Sequence, residues 1–203
     1  MNGPILKLSY SELQPDRGEI RRYAKAEKNG PDDPLMLSCL EELGEIRGRL
    51  CWRRFPILRE GETLDLGFCR TDSEDLARNL RGCSSLILFA GTLGLDIDRY
   101  LARYGRLSPA RALWFQAIGA AGIEEMCDRF CEDIRTLADP GKTLSLKPRY
   151  SPGFGDFGLE YQPFIFSALD CQRQIGLTLT DSFLMSPTKS VTALIGIRDE
   201  EDA

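Results

Sequence analysis

Histidine is absent from this 203-residue chain. That absence excludes Ser-His-Asp and Cys-His nucleophile systems, zinc sites that need imidazole, and an imidazole general base. Any chemistry must run on carboxylates, Arg, Lys, Tyr, Ser/Thr, Cys, backbone amides or an imported cofactor. A surplus of positive charge is also missing: 26 Lys and Arg face 31 Asp and Glu, for a formal charge of −5. This argues against a mainly phosphate-driven nucleic-acid binder, although a local basic patch stays open. No apolar run approaches the ~18 residues of a membrane span. The seven cysteines, at 39, 51, 69, 83, 127, 131 and 171, are odd in number and form no CxxC. The first ten residues are mixed, with Pro4, Lys7 and Ser9, and do not read as a secretory signal. The thiols are therefore expected in a reducing cytoplasm, mostly as small core hydrophobes. Cys127 and Cys131 stand one helical turn apart, but two thiols without partners are too few for a tetrahedral metal site.

What is present suits one globular domain spanning 1–203, with 1–35 as a peripheral N-terminal segment. Asp33-Pro34 opens an amphipathic helix over Pro34–Gly48, in which Leu35, Leu37, Leu40, Leu43 and Ile46 recur at helical spacing. Arg49–Leu58 and Thr63–Phe68 read as strands around the turn Glu60-Gly61-Glu62. Thr71 and Glu74 resemble a capping box for a short helix that ends at Gly82. The continuous apolar run Ser85–Ala90 reads as a buried central strand. A short helix over Asp96–Tyr104 follows. The alternation of Val191, Ala193, Ile195 and Ile197 marks a last strand with one face buried, before an acidic end over Asp199–Asp202. Strands and helices interleave, which favours an α+β fold: a mainly antiparallel sheet packed against a long helix and several shorter helices.

The long helix starts at Ser108-Pro109, runs to Leu137 and stops at Asp139-Pro140-Gly141. Its centre, Gly119-Ala120-Ala121-Gly122, carries two glycines that each cost ~1 kcal/mol against alanine. Such a patch implies that another element or a ligand approaches the backbone closely. The stretch Arg149–Gly158 is a loop by composition, with Tyr150, Phe154 and Phe157 interleaved among glycines. Gln162-Pro163 then opens a helix that Gly176 ends. Glycines admit a ligand to the backbone, Arg offers a fork for a carboxylate or phosphate, and aromatic faces can hold a purine or cation. By composition alone such a loop is more often structural than ligand-binding.

The order of residues adds a resemblance. RYSPGFGD (Arg149 to Asp156) is followed by Gln162 and by Ile175, Gly176, Leu179, Thr180, Ser182, Met185, Pro187, Ser190 and Val191. This resembles the activation (reactivation) domain of cobalamin-dependent methionine synthase, in a free-standing short form. FAGTLGLDIDR (Phe89–Arg99) and AIGAAGIE (Ala117–Glu124) are similar to the compact members of that family. The resemblance spans Leu86 to Ile197.

That family binds S-adenosylmethionine and presents its methyl group to cob(II)alamin held elsewhere, with an electron from a flavodoxin- or ferredoxin-type donor. The resemblance therefore implies a reactivation subunit, with cobalamin carried by a partner methionine synthase chain. It implies that Arg149 pairs with the methionyl carboxylate and that Ser151, Gly153 and Phe154 contact the ligand. Glu124 would engage the ribose hydroxyls or the ligand's positive charge. No catalytic acid or base and no metal ligand is implied. Phe154 stands where the synthase domain has Tyr, and no residue here matches the acid that recognises the ligand's amino group. Two other readings remain: a non-catalytic S-adenosylmethionine- or corrinoid-protein-binding module, and an unrelated enzyme that uses Cys127 and Cys131.

Overall fold

The computed structural model describes residues 4–139 and 144–198. In chain order the elements are β1 (Leu6–Leu13), α1 (Arg17–Tyr23), α2 (Pro34–Leu43), β2 (Ile46–Pro56), β3 (Leu58–Glu60), β4 (Thr63–Asp65) and β5 (Arg70–Thr71). Next come α3 (Glu74–Asn79), β6 (Cys83–Thr92), α4 (Asp96–Leu107) and α5 (Pro109–Leu137). The remaining α-helices and strands of the described residues are α6 (Gln162–Leu169), α7 (Cys171–Ile175), β7 (Thr178–Leu179), β8 (Met185–Ser186) and β9 (Ser190–Arg198).

A four-stranded antiparallel sheet, ordered β1-β2-β6-β9, forms the middle layer. The fold is α+β, with helices on both sheet faces. Alternation along β6 sends Ile87 and Phe89 to one face and Leu86, Leu88 and Ala90 to the other, all fully buried. An interior strand covered on both sides must be apolar at every position, which is why this segment reads as one unbroken run. The first face packs against α1, α2, α4 and α5; the second packs against α3, α6 and α7.

Residues Phe115, Ile118, Gly122, Met126, Phe130 and Ile134 of α5 form one buried stripe at three- and four-residue spacing. The helix crosses the sheet where the strands carry glycine. A Cβ on Gly48 or Gly91 would lie 2.5 Å from Met126 Sδ or Cε respectively. The small-residue patch of α5 is filled by the protein itself. A Cβ on Gly119 would sit 2.8 Å from Lys189 Cε, and one on Gly122 would sit 3.0 Å from Leu93 Cδ1.

Several boundaries differ from the sequence reading. Helix α2 ends at Leu43, because Gly44 takes a φ of +67° and turns the chain into β2. The cap of α3 is Ser73, whose hydroxyl accepts from Leu76 N at 3.0 Å, and not Thr71. The expected helix before Gly176 is broken at Asp170, with φ +47°, into α6 and α7. Strand β9 is buried on both faces. The opening segment supplies β1 at the edge of the sheet, and α1 buries Ile20 completely. The stop signal Pro140-Gly141 and the acidic end 199–202 lie outside the described residues. No described helix is long and apolar enough to cross a membrane.

Candidate functional site

The segment 145–150 runs along the outer edge of β9. Tyr150 N donates to Leu194 O at 2.9 Å, and Leu194 N donates to Tyr150 O at 2.8 Å. Lys147 N donates to Gly196 O at 2.8 Å. Strand-like alternation on this edge turns Arg149 toward α5 and Tyr150 toward the opposite face, where it packs on the second core. The edge that β9 would expose is covered at the same time.

Arg149 meets two carboxylates of α5. Its Nη2 donates to Glu124 Oε2 at 2.9 Å and its Nη1 to Asp128 Oδ1 at 2.9 Å. Glu124 and Asp128 are four residues apart, so they lie on one face of the helix. Burial works against charge on the Arg149 guanidinium, but neighbouring anionic charge outweighs it and raises its pKa; near neutral pH that charge is on Asp128 and Glu124, because Cys127 and Cys131 are protonated there. Exposure is graded across the three side chains: 26% for Arg149, 46% for Glu124 and 69% for Asp128. Glu125, next in sequence, belongs to a different contact and accepts from Arg129 Nε at 2.7 Å.

The loop that follows is closed largely on itself. Gly153 N donates to Phe157 O at 2.7 Å, Phe154 N to Ser151 O at 3.3 Å, and Phe157 N to Phe154 O at 3.1 Å. Gly153, with φ +96°, makes the turn possible, and Leu159 covers it. Phe157 is fully buried and stacks on Tyr161 at 4.4 Å between centroids. Phe154 is the opposite: its ring is 65% exposed.

Asp156 anchors the loop to the start of α3. It accepts from Ser73 Oγ, from Glu74 N at 2.7 Å and from Asp75 N at 3.3 Å. The Ser73 hydroxyl, ahead of the backbone donors, holds the Asp156 carboxyl below its ordinary range.

Of the residues singled out from sequence, Arg149 and Glu124 are in direct contact, and Ser151, Gly153 and Phe154 follow on the adjoining loop. Sequence reading missed Asp128 as a second partner of Arg149, although its four-residue offset from Glu124 is the signal that places it. It also missed Asp156 as a cap partner, whose contacts lie 81 to 83 residues away and leave no local trace. Two surface hollows, of about 660 Å³ beside Tyr10, Arg49 and Arg99 and about 580 Å³ beside Leu13, Arg17 and Leu40, include none of these residues.

Cys127 is buried on α5 and Cys131, one turn on, is partly buried. Burial pushes the Cys127 thiol up to about 12 and raises Cys131 as well, so neither carries thiolate near neutrality. Among the described residues, no cluster of three or more Cys, Asp or Glu side chains is placed to hold a metal ion.

No protein-family model matches the chain, and no curated protein matches it. Its structure, however, is similar to the crystal structure of the MetH reactivation domain bound to AdoHcy, with a TM-score of 0.73 over 97% of this chain and 79% of that one. The two share a fold. At 16% identity the likeness establishes the fold and leaves the site to be argued from its residues.

Proposed function

We propose that the chain is an S-adenosylmethionine-binding reactivation module acting with a cobalamin-carrying methionine synthase chain. The observation that carries this reading is the likeness in fold, over 97% of the chain, to a domain solved with AdoHcy. The meeting of Arg149 and Glu124 beside the RYSPGFGD loop supports it. In this reading the ligand carboxylate takes a place on Arg149 by charge-assisted hydrogen bonds. Ser151, Gly153 and the exposed ring of Phe154 bracket the nucleoside, and Glu124 turns to the ribose hydroxyls or the positive charge. The partner's cobalamin supplies the methyl-accepting chemistry, with an electron from a flavodoxin- or ferredoxin-type donor. A sulfonium is already a good leaving group, so a chain without histidine need only position and desolvate it. Seven free thiols suit the reducing cytoplasm where such a system would work.

Calorimetry with S-adenosylmethionine tests the binding step. Methylation of the partner's cobalamin, followed by its absorbance, tests the rest, and it is expected only with ligand, reductant and both chains present.

One observation favours a second reading. Arg149 is engaged twice within the protein, and the loop donors Gly153, Phe154 and Phe157 are satisfied within the loop. A docking or sensing module that keeps the fold without methyl transfer fits that closure. Binding without cobalamin methylation in the reconstituted assay would select it.

A further inference from the structure

Arg149 presents its two terminal nitrogens to two different carboxylates, so neither acid holds the fork bidentately. The corner carries one positive and two negative charges, a net of −1. A ligand carboxylate must displace one acid. Asp128, at 69% exposure against 46% for Glu124, is already the better hydrated and leaves at the lower desolvation cost. Its departure frees an anion one helical turn from Glu124, beside a ligand whose remaining charge is positive.

The two forms of the nucleoside differ at this point. The methyl donor carries a fixed sulfonium charge, whereas the demethylated product has a neutral thioether. Both carry the same carboxylate and ammonium. An anion released beside them therefore separates donor from product by charge alone.

We propose that Asp128 is a charge-selectivity residue: the ligand carboxylate replaces it on Arg149, and the freed aspartate favours the sulfonium donor over the thioether product. This rests on the reading that the corner binds S-adenosylmethionine. A unit-charge contact at about 4 Å in water corresponds to a preference of roughly fivefold. Salt reduces it, because Asp128 is exposed.

The test is the ratio of affinities for S-adenosylmethionine and S-adenosylhomocysteine, measured by calorimetry on the intact chain at low and high salt. The wild type is expected to favour the sulfonium, less so at high salt. In Asp128→Asn the thioether product should bind at least as tightly, because a competitor for Arg149 is gone, while the ratio of sulfonium to thioether affinity falls roughly fivefold. A ratio is internal to each folded protein, so a loss of stability does not imitate the effect. Glu125→Gln removes the same charge from the same helix, away from Arg149, and should leave the ratio unchanged. An unaltered ratio in Asp128→Asn, or an equal fall in Glu125→Gln, overturns the proposal while leaving the binding reading in place. Failure of the wild type to bind either ligand overturns both.

Discussion

Glycine occupies two stretches of this molecule for opposite reasons. In α5, Gly119 and Gly122 have ordinary helical backbone, and the missing side chains admit Lys189 and Leu93. In the loop after Arg149, Gly153 and Gly155 take φ values of +96° and +53°, and the missing side chains admit a turn and, at Gly155, the approach of Asp75 and Tyr150 as well. The first stretch is a packed wall and the second a tight bend whose neighbour Phe154 stays in solvent. The comparison teaches that a glycine marks a close approach without saying what approaches. Damage to the wall should appear as lost stability, and damage to the bend as lost binding.

The largest effect is expected from Phe130→Ala. This ring is fully buried and lies 4.8 Å from Phe89 between centroids, so truncation should lower unfolding stability by about 3–5 kcal/mol in denaturant titrations. Gly119→Val comes next. Its side chain would have to displace Lys189 and Ile97 Cγ2, the latter 3.0 Å from the Cβ position. A loss of about 1–3 kcal/mol is expected, partly restored in a Lys189→Ala background. A full-sized loss that Lys189→Ala leaves untouched would show that the wall is packed otherwise.

Arg149→Ala should cost about 1 kcal/mol or less in stability, since both of its ion pairs are half-exposed and screened. A much larger loss would make Arg149 a structural clamp and move it to the wall's side of the comparison. Phe154→Ala should change stability by less than about 0.5 kcal/mol, because the ring is mostly in solvent. Acid titration sharpens the contrast from the loop side. The Asp156 carboxyl is held below its ordinary 3.8 by the folded structure, so its stabilising contribution is present above that value. It is lost as pH falls through the lowered folded value. Asp156→Asn should flatten the acid limb of stability against pH; an unchanged limb would mean that the cap does not act in solution.

The sequence announces those parts of this fold whose causes are local. Ser85–Ala90 reads as a central strand because burial on both faces leaves no polar position, and α5 begins at Pro109, whose preset φ suits the first helical position, with no side-chain cap bond from Ser108. The errors have non-local causes. Gly44 ends α2 early because β2 must enter the sheet at Ile46, and Ser73 rather than Thr71 caps α3 because Asp156 arrives from a distant loop. Tertiary pairing also draws residues 6–13 into the sheet, although their own pattern is weak. For the site, no periodicity links Arg149 to Glu124, which lie 25 residues apart. The order of residues in RYSPGFGD pointed to Arg149 by resemblance. Only the edge pairing of Tyr150 with Leu194 explains why its guanidinium turns to α5 and finds Asp128 as well.

The central claim is that Arg149 exchanges its own chain's carboxylate for a ligand's. Calorimetric titration of S-adenosylmethionine into the wild type and Arg149→Ala measures this directly. Saturable one-site binding is predicted for the wild type, weakened by roughly 30-fold or more in the variant. Equal affinities, or no heat of binding to the wild type, would contradict the claim.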